Sequence, residues 1–128
     1  MLEAKFVGEV YCIGEDLGIA RVFEACRAFK EKGNRVIGMI GSRTKVGFAI
    51  ENRIRAFSDE FFVATEDGSS GRKGAVSDIL KELFGVIEKS THTKYPDLVY
   101  CSGPQELIRA VEDITRDCGV AVIFDKNR

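Results

Sequence analysis

Short apolar runs alternate with amphipathic stretches along the whole chain, and that alternation predicts the elements. The first strand is read at Val7–Ile13. A helix follows from about Gly18 to Lys32, because Ile19, Val22, Phe23, Cys26 and Phe29 fall on one face at helical spacing. Gly33-Asn34 stops it, since both residues accept the left-handed conformation of a C-cap. The second strand is Arg35–Ile40, and a weaker helix, about Val46–Phe57, aligns Ile50, Ile54 and Phe57. The third strand is Glu60–Thr65. A glycine-rich loop, Asp67–Gly74, leads into a helix with Val76, Ile79, Leu80, Leu83, Phe84 and Ile87 on its stripe. A polar loop, Lys89–Asp97, holds the one histidine, His92. The fourth strand is Leu98–Cys101. Pro104 suits the first turn of a helix that turns Leu107, Ile108, Val111 and Ile114 inward and ends near Gly119. The fifth strand is Val120–Phe124, before a short charged tail, Asp125–Arg128.

Strands that are apolar throughout and alternate with helices predict an α/β fold. The expectation is a five-stranded parallel sheet, order 3-2-1-4-5, with helices on both faces. In such a sheet ligands bind outside the carboxyl ends of the strands, where the strand order reverses. That crevice lies between the ends of the first and fourth strands, and the irregular loops of this chain gather there.

The chain has 128 residues, enough for one domain with its own core. The net charge of -1 argues against nucleic acid or an anionic membrane as the main partner. No apolar run reaches the ~20 residues a membrane span needs. No secretory leader is read at the start, so the cytoplasm is the expected compartment, with thiols reduced. The four cysteines form no CxxC pair and there is a single histidine, so a metal site built from this chain is not expected. Cys12 and Cys101 sit in apolar runs, where a thiol packs as a small hydrophobe.

Four loops carry the candidate chemistry. The first-strand loop is Gly14-Glu15-Asp16-Leu17-Gly18, where glycines serve either a phosphate or only the turn. After the second strand come Ser42, Arg43 and Thr44, with Lys45. A basic residue there accommodates a 2′-phosphate, favouring NADP over NAD, unless Arg43 and Lys45 are a solvated corner. The third-strand loop holds Asp67, Gly68, Ser69, Ser70, Gly71, Arg72, Lys73 and Gly74. It either offers N–H donors and cations to an anion or is a mobile surface loop. The fourth-strand end is Cys101-Ser102-Gly103-Pro104. A receiver-type signalling domain fits less well, because it wants an aspartate at a strand's carboxyl end and Asp97 stands at a strand's beginning.

Together these segments resemble the nucleotide domain of the ferredoxin–NADP reductase superfamily. Cys12-Ile13-Gly14 through Gly18-Ile19-Ala20 looks like its pyrophosphate turn, and Ile40–Lys45 like its ribose-side segment. Thr65–Gly74 is similar to its Asp-Gly-Ser-x-Gly-x-Lys-Gly loop, and Ser102-Gly103-Pro104 to its Cys-Gly-Pro motif. The order and spacing agree over nearly the whole chain. The nearest subgroup is the electron-transfer subunits: those of dihydroorotate dehydrogenase, the small subunits of sulfide dehydrogenase and NADH-dependent ferredoxin–NADP oxidoreductase, and hydrogenase gamma subunits.

The resemblance implies that residues 1–128 are a single NAD(P)-binding domain. It would position the nicotinamide for hydride exchange with FAD, with Gly14, Glu15, Asp16, Gly18, Ser42, Arg43, Thr44, Asp67, Gly68, Ser69, Lys73, Cys101, Ser102, Gly103 and Pro104 along the cofactor. It also implies partners: a flavin-binding domain and an iron–sulfur-containing catalytic subunit, carried by another chain or by the rest of a longer parent. The chain departs from the pattern at Ser102, where the family has cysteine, and at Arg21, where it has proline. Glu15 and Asp16 stand where it has glycines. A carboxylate ~4 Å from a phosphate opposes it by ~1 kcal/mol in water and ~4 at an effective dielectric of ~20. A helix N-terminus returns only ~0.3–1 kcal/mol. Asp16 either opposes a phosphate or N-caps its own helix, satisfying the donors a phosphate would otherwise take. The alternatives for the chain are a nucleotide domain with binding intact or weakened, or a degenerate domain that serves as a subunit-contact or regulatory module.

Overall fold

The computed structural model describes residues 2–126, so Asn127 and Arg128 of the charged tail lie outside it. The elements in chain order are β1 (Glu9–Glu15), α1 (Ile19–Glu31), β2 (Arg35–Ser42), α2 (Phe48–Ala56), β3 (Glu60–Thr65) and β4 (Arg72–Lys73). There follow α3 (Val76–Glu88), β5 (Leu98–Gly103), α4 (Gln105–Thr115) and β6 (Ala121–Lys126). A one-turn 3-10 helix, Asp16–Gly18, joins β1 to α1.

The strands form one sheet in the order β4-β3-β2-β1-β5-β6, every neighbouring pair parallel. The expectation of five strands in the order 3-2-1-4-5 is thus corrected. Arg72 and Lys73 of the glycine-rich loop add a two-residue sixth strand outside β3, pairing Ala64 with Arg72 and Thr65 with Lys73. Apolar periodicity is blind to such a strand, because its backbone pairs while both side chains stay exposed.

Period-two alternation splits the core into two layers. Tyr11 and Ile13 of β1 face α3 and α4, where they pack with Met39, Leu80, Phe84 and Val111. Val10 and Cys12 face α1 and α2, among Val22, Cys26, Phe29 and Ile54. Cys12, Cys26 and Cys101 are fully buried free thiols, and Cys118 is half-buried. No helix is long and apolar enough to cross a membrane among the described residues.

The boundaries move for identifiable reasons. β1 begins two residues later than the apolar run suggests, because the side chain of Asn34 takes the N–H groups of Val7 and Gly8 at 2.7 and 2.9 Å. Asn34 Nδ2 also donates to the carbonyls of Lys5 and Phe29, both at 2.9 Å. The helix stop therefore divides its work. Gly33 takes the left-handed turn at φ +89, and buried Asn34 ties the incoming chain to the end of α1. β5 runs on to Gly103 with all six residues buried, since β1 and β6 flank it. α4 ends at Thr115, ahead of Gly119, and the chain reverses through left-handed Asp117 and Gly119.

Asn34→Ala leaves the part-buried N–H groups of Val7 and Gly8 and the Lys5 carbonyl without that partner, while the Phe29 carbonyl keeps its backbone donors. It should lower the unfolding free energy by about 2–4 kcal/mol, read by urea denaturation at unchanged slope. A loss under about 0.5 kcal/mol would show that water replaces the side chain.

Candidate functional site

The carboxyl ends of β1 and β5 lie side by side, with Gly14 in register with Ser102. A Cβ on Gly14 would stand 2.3 Å from Val22 Cγ2, and one on Gly18 would stand 2.0 Å from the Ser102 carbonyl oxygen. The β1–α1 turn thus rests on the backbone of the β5–α4 turn, a contact that no side chain at either position permits. Cys101, Ser102 and Gly103 are buried within it. Burial, reinforced by the charge of Glu15, pushes the Cys101 thiol up to about 12, so it stays protonated at neutral pH. The Ser102 hydroxyl is buried without a hydrogen-bond partner among the described residues.

Above this contact lies a crevice of about 230 Å³. Of the residues marked by sequence, it brings together Glu15, Asp16, Ser42, Arg43 and Pro104. Sequence reading placed Glu66, just after β3, in the third-strand loop without marking it as a site residue, and missed Glu106, in the first turn of α4; both line the crevice too, as does the start of α3 at Ala75-Val76. Their signal was position alone: Glu66 directly follows β3, and Glu106 opens the helix that follows β5. Four carboxylates and one guanidinium therefore line one cleft. Burial raises the Glu15 carboxyl, and Asp16, Glu66 and Glu106 push it further in the same direction.

Asp16 does not cap its helix. Neither the 3-10 turn nor α1 has a side-chain cap, and Asp16 itself sits at φ 55, the left-handed region where glycine is at ease. α4 is likewise uncapped, with Pro104 ahead of its first turn. Two helix starts therefore bring N–H groups that no side chain claims to one crevice. Arg21 contributes no charge there, because it is ion-paired with Asp125, which also accepts from the Tyr100 hydroxyl at 2.7 Å.

The remaining marked residues form a separate assembly. The N–H groups of Glu66 and Asp67 donate to the carbonyls of Ser42 and Arg43, both at 3.1 Å. Ser69 Oγ accepts from Lys45 N at 2.8 Å and lies 3.2 Å from Thr44 Oγ1. Ser69 N donates to Asp67 at 2.9 Å, and Gly68 N and Gly74 N donate to the Thr65 carbonyl. Contacts with the Ser69 and Thr44 hydroxyls and with Ser69 N hold the exposed Asp67 carboxyl below its usual range. Lys73 is exposed beside Gly68, while Arg72 turns to Glu82. The Gly68, Ser69, Ser70 and Gly74 N–H groups of the glycine-rich loop thus donate to Thr65 and Asp67, and its Ser69 hydroxyl holds the β2 loop.

No family model matches the chain. A dihydroorotate dehydrogenase B (NAD(+)) electron transfer subunit homolog from Thermotoga maritima is 31% identical over 125 residues, covering 98% of this chain and 42% of that protein. Among solved structures, that of an NADH-dependent reduced ferredoxin–NADP oxidoreductase superposes with a TM-score of 0.78 at 26% identity, over 98% of this chain and 43% of its own. A C-terminal hydrogenase domain from Pyrococcus furiosus shares the fold, with a TM-score of 0.74 at 19% identity, over 98% of this chain and 96% of its own. The chain spans about 40% of the length of the curated relatives it matches. Sequence and fold agree across nearly all of the chain: it is a ferredoxin reductase-like domain of the NAD(P)-binding type, similar to part of the dihydroorotate dehydrogenase electron transfer subunits.

Proposed function

We propose that the chain is the dinucleotide-holding domain of a flavin-dependent electron-transfer subunit, binding NAD(P)H across the crevice between the ends of β1 and β5. The observation that carries this reading is the meeting of two uncapped helix starts beside Arg43 at the point where strand order reverses. The fit is divided. The backbone suits a pyrophosphate, with N–H groups unclaimed by side chains and a left-handed turn at Asp16. The side chains oppose one, and four carboxylates outweigh two helix ends at neutral pH. Binding is accordingly weak at neutral pH and strengthens as Glu15 takes up a proton.

A bound nicotinamide supplies hydride to, or takes it from, a flavin. In this reading the flavin and an iron–sulfur cluster lie on a flavin-binding domain and a catalytic subunit beyond these residues. The chain's own residues bind and orient. The β1–α1 turn and the start of α4 face the pyrophosphate, and Arg43 faces the adenosine ribose. The Thr44–Ser69 contact and the Asp67–Ser69 turn brace that side, with Gly68 and Lys73 in the same loop. Cys101, Ser102 and Gly103 form the floor. The preference for NADP rests on Arg43 alone, since the relatives carry NAD(+) in their names.

The four carboxylates favour a second reading, a degenerate domain that contacts another subunit without nucleotide. Calorimetric titration with NADPH and NADH separates the two. Micromolar heat at about pH 6 with NADPH preferred supports the first, and a sample folded but silent at that pH supports the second. Under the first reading, Glu15→Gln with Asp16→Gly should tighten NADH about tenfold or more at about pH 7.5. Unchanged affinity would remove the electrostatic account. The sign with pH follows from the raised Glu15 carboxyl. As pH falls through that raised value, Glu15 becomes neutral, repulsion drops and NAD+ binds more tightly. Titrations with NAD+ from about pH 8 to about pH 5 should show this rise, and Glu15→Gln should flatten it. Arg43→Ser should abolish any preference for NADPH over NADH while leaving NADH within about threefold, and a preserved preference would reassign the 2′-phosphate to another group.

A further inference from the structure

The other end of the sheet carries a groove that the nucleotide reading does not use. β4 reaches only Ala64 and Thr65, so the outer edge of β3 from Glu60 to Phe62 has no neighbouring strand among the described residues. Phe61, Phe62 and Val63 are half-buried there, although each belongs to a run apolar enough for a covered strand. The groove holds about 680 Å³, the range of sites that take several groups rather than one. It wraps the sheet edge, with α2 on one side and Ile79, Leu83 and Val86 of α3 on the other. Val86 is 66% exposed at its rim.

One group in this apolar setting is out of place. Glu51 of α2 is only 8% exposed, and its Oε1 is buried with no hydrogen-bond partner among the described residues. A buried carboxylate oxygen without a donor is among the costlier features a fold can hold. The two nearby bases do not supply one. The Arg55 guanidinium lies over the Phe61 ring, 4.8 Å from its centre, and Arg72 is ion-paired with Glu82. Among the described residues, Glu51 Oε1 therefore has no donor.

We propose that the groove is the docking site of an extended segment of a partner protein that carries one basic side chain between apolar ones. The segment lies along the edge of β3 from Glu60 to Phe62, where no strand pairs with it among the described residues; beyond that, Gly71 already stands against the Val63 carbonyl. Its apolar side chains cover Phe61, Val63, Leu83 and Val86, and its lysine or arginine meets Glu51 Oε1. The edge-strand geometry selects a polypeptide, and the orphaned carboxylate selects a cation. This assignment is independent of whether the crevice binds nucleotide.

The test is a ¹H–¹⁵N NMR titration of the full chain with acetyl-Val-Lys-Val-amide, against the same peptide with norleucine or glutamate in the middle. The lysine peptide should bind about tenfold more tightly than the norleucine one, with shifts confined to Glu51, Phe61–Val63, Gly71 and the β3-facing side of α3. Glu51→Gln should erase that preference. Val86→Lys, at an exposed position that cannot unfold the core, should erase binding by repelling the cation and removing apolar cover. Equal binding of the norleucine peptide, shifts elsewhere on the molecule, no shifts at millimolar peptide, or a preference that survives both substitutions would each overturn the proposal.

Discussion

The architecture turns on one contact, the backbone of the β1–α1 turn pressed against the backbone of the β5–α4 turn. Gly18 lies so close to the Ser102 carbonyl that a single added carbon would overlap it, and Gly14 is held as tightly by Val22. This contact sets how near the ends of β1 and β5 come, and so it sets the crevice between them. It also fixes what the glycines are for. Gly14, Gly18 and Gly103 lie under the crevice as packing surfaces, while Glu15, Asp16 and Arg43 line it. A relative with glycines in place of the two carboxylates could keep the same packing and present a bare backbone. Here the backbone shape is retained and its chemistry is overlaid with charge.

That overlay is what a purely fold-level reading would miss. The same left-handed turn that suits a phosphate holds an aspartate at φ 55, and the half-buried glutamate beside it is raised by burial and by three other carboxylates. Shape and charge therefore act in opposite directions at one site, and pH decides their balance. The glycine-rich loop shows a related shift of role. Its serines and aspartate bond to Thr44, Lys45 and one another, so it stiffens the second-strand loop that presents Arg43.

Much of this was legible in the chain. Continuous apolar strands and amphipathic helices specify the layers, and five of the six strands follow from periodicity, because buried side chains impose it. β4 escaped because Arg72 and Lys73 pair through backbone alone, with exposed side chains. The start of β1 escaped because it depends on the Asn34 side chain reaching across 27 positions of sequence to Val7. In the crevice, Glu15 and Asp16 stood out against the family motif, whereas Glu66 and Glu106 had no motif to mark them. Their role appears only when four loops are brought together. Arg21 and Arg72 are the converse. Both look available to an anion in sequence, and both are paired at a distance, with Asp125 and Glu82.

The most direct test of the central claim is to map where NADH touches the ¹⁵N-labelled chain by chemical-shift perturbation at mildly acidic pH. The account predicts shifts at Gly14–Gly18, Arg43 and Gly103–Glu106, with the β3 edge silent. Shifts absent from all of these in a folded sample, or centred on another face, would contradict it.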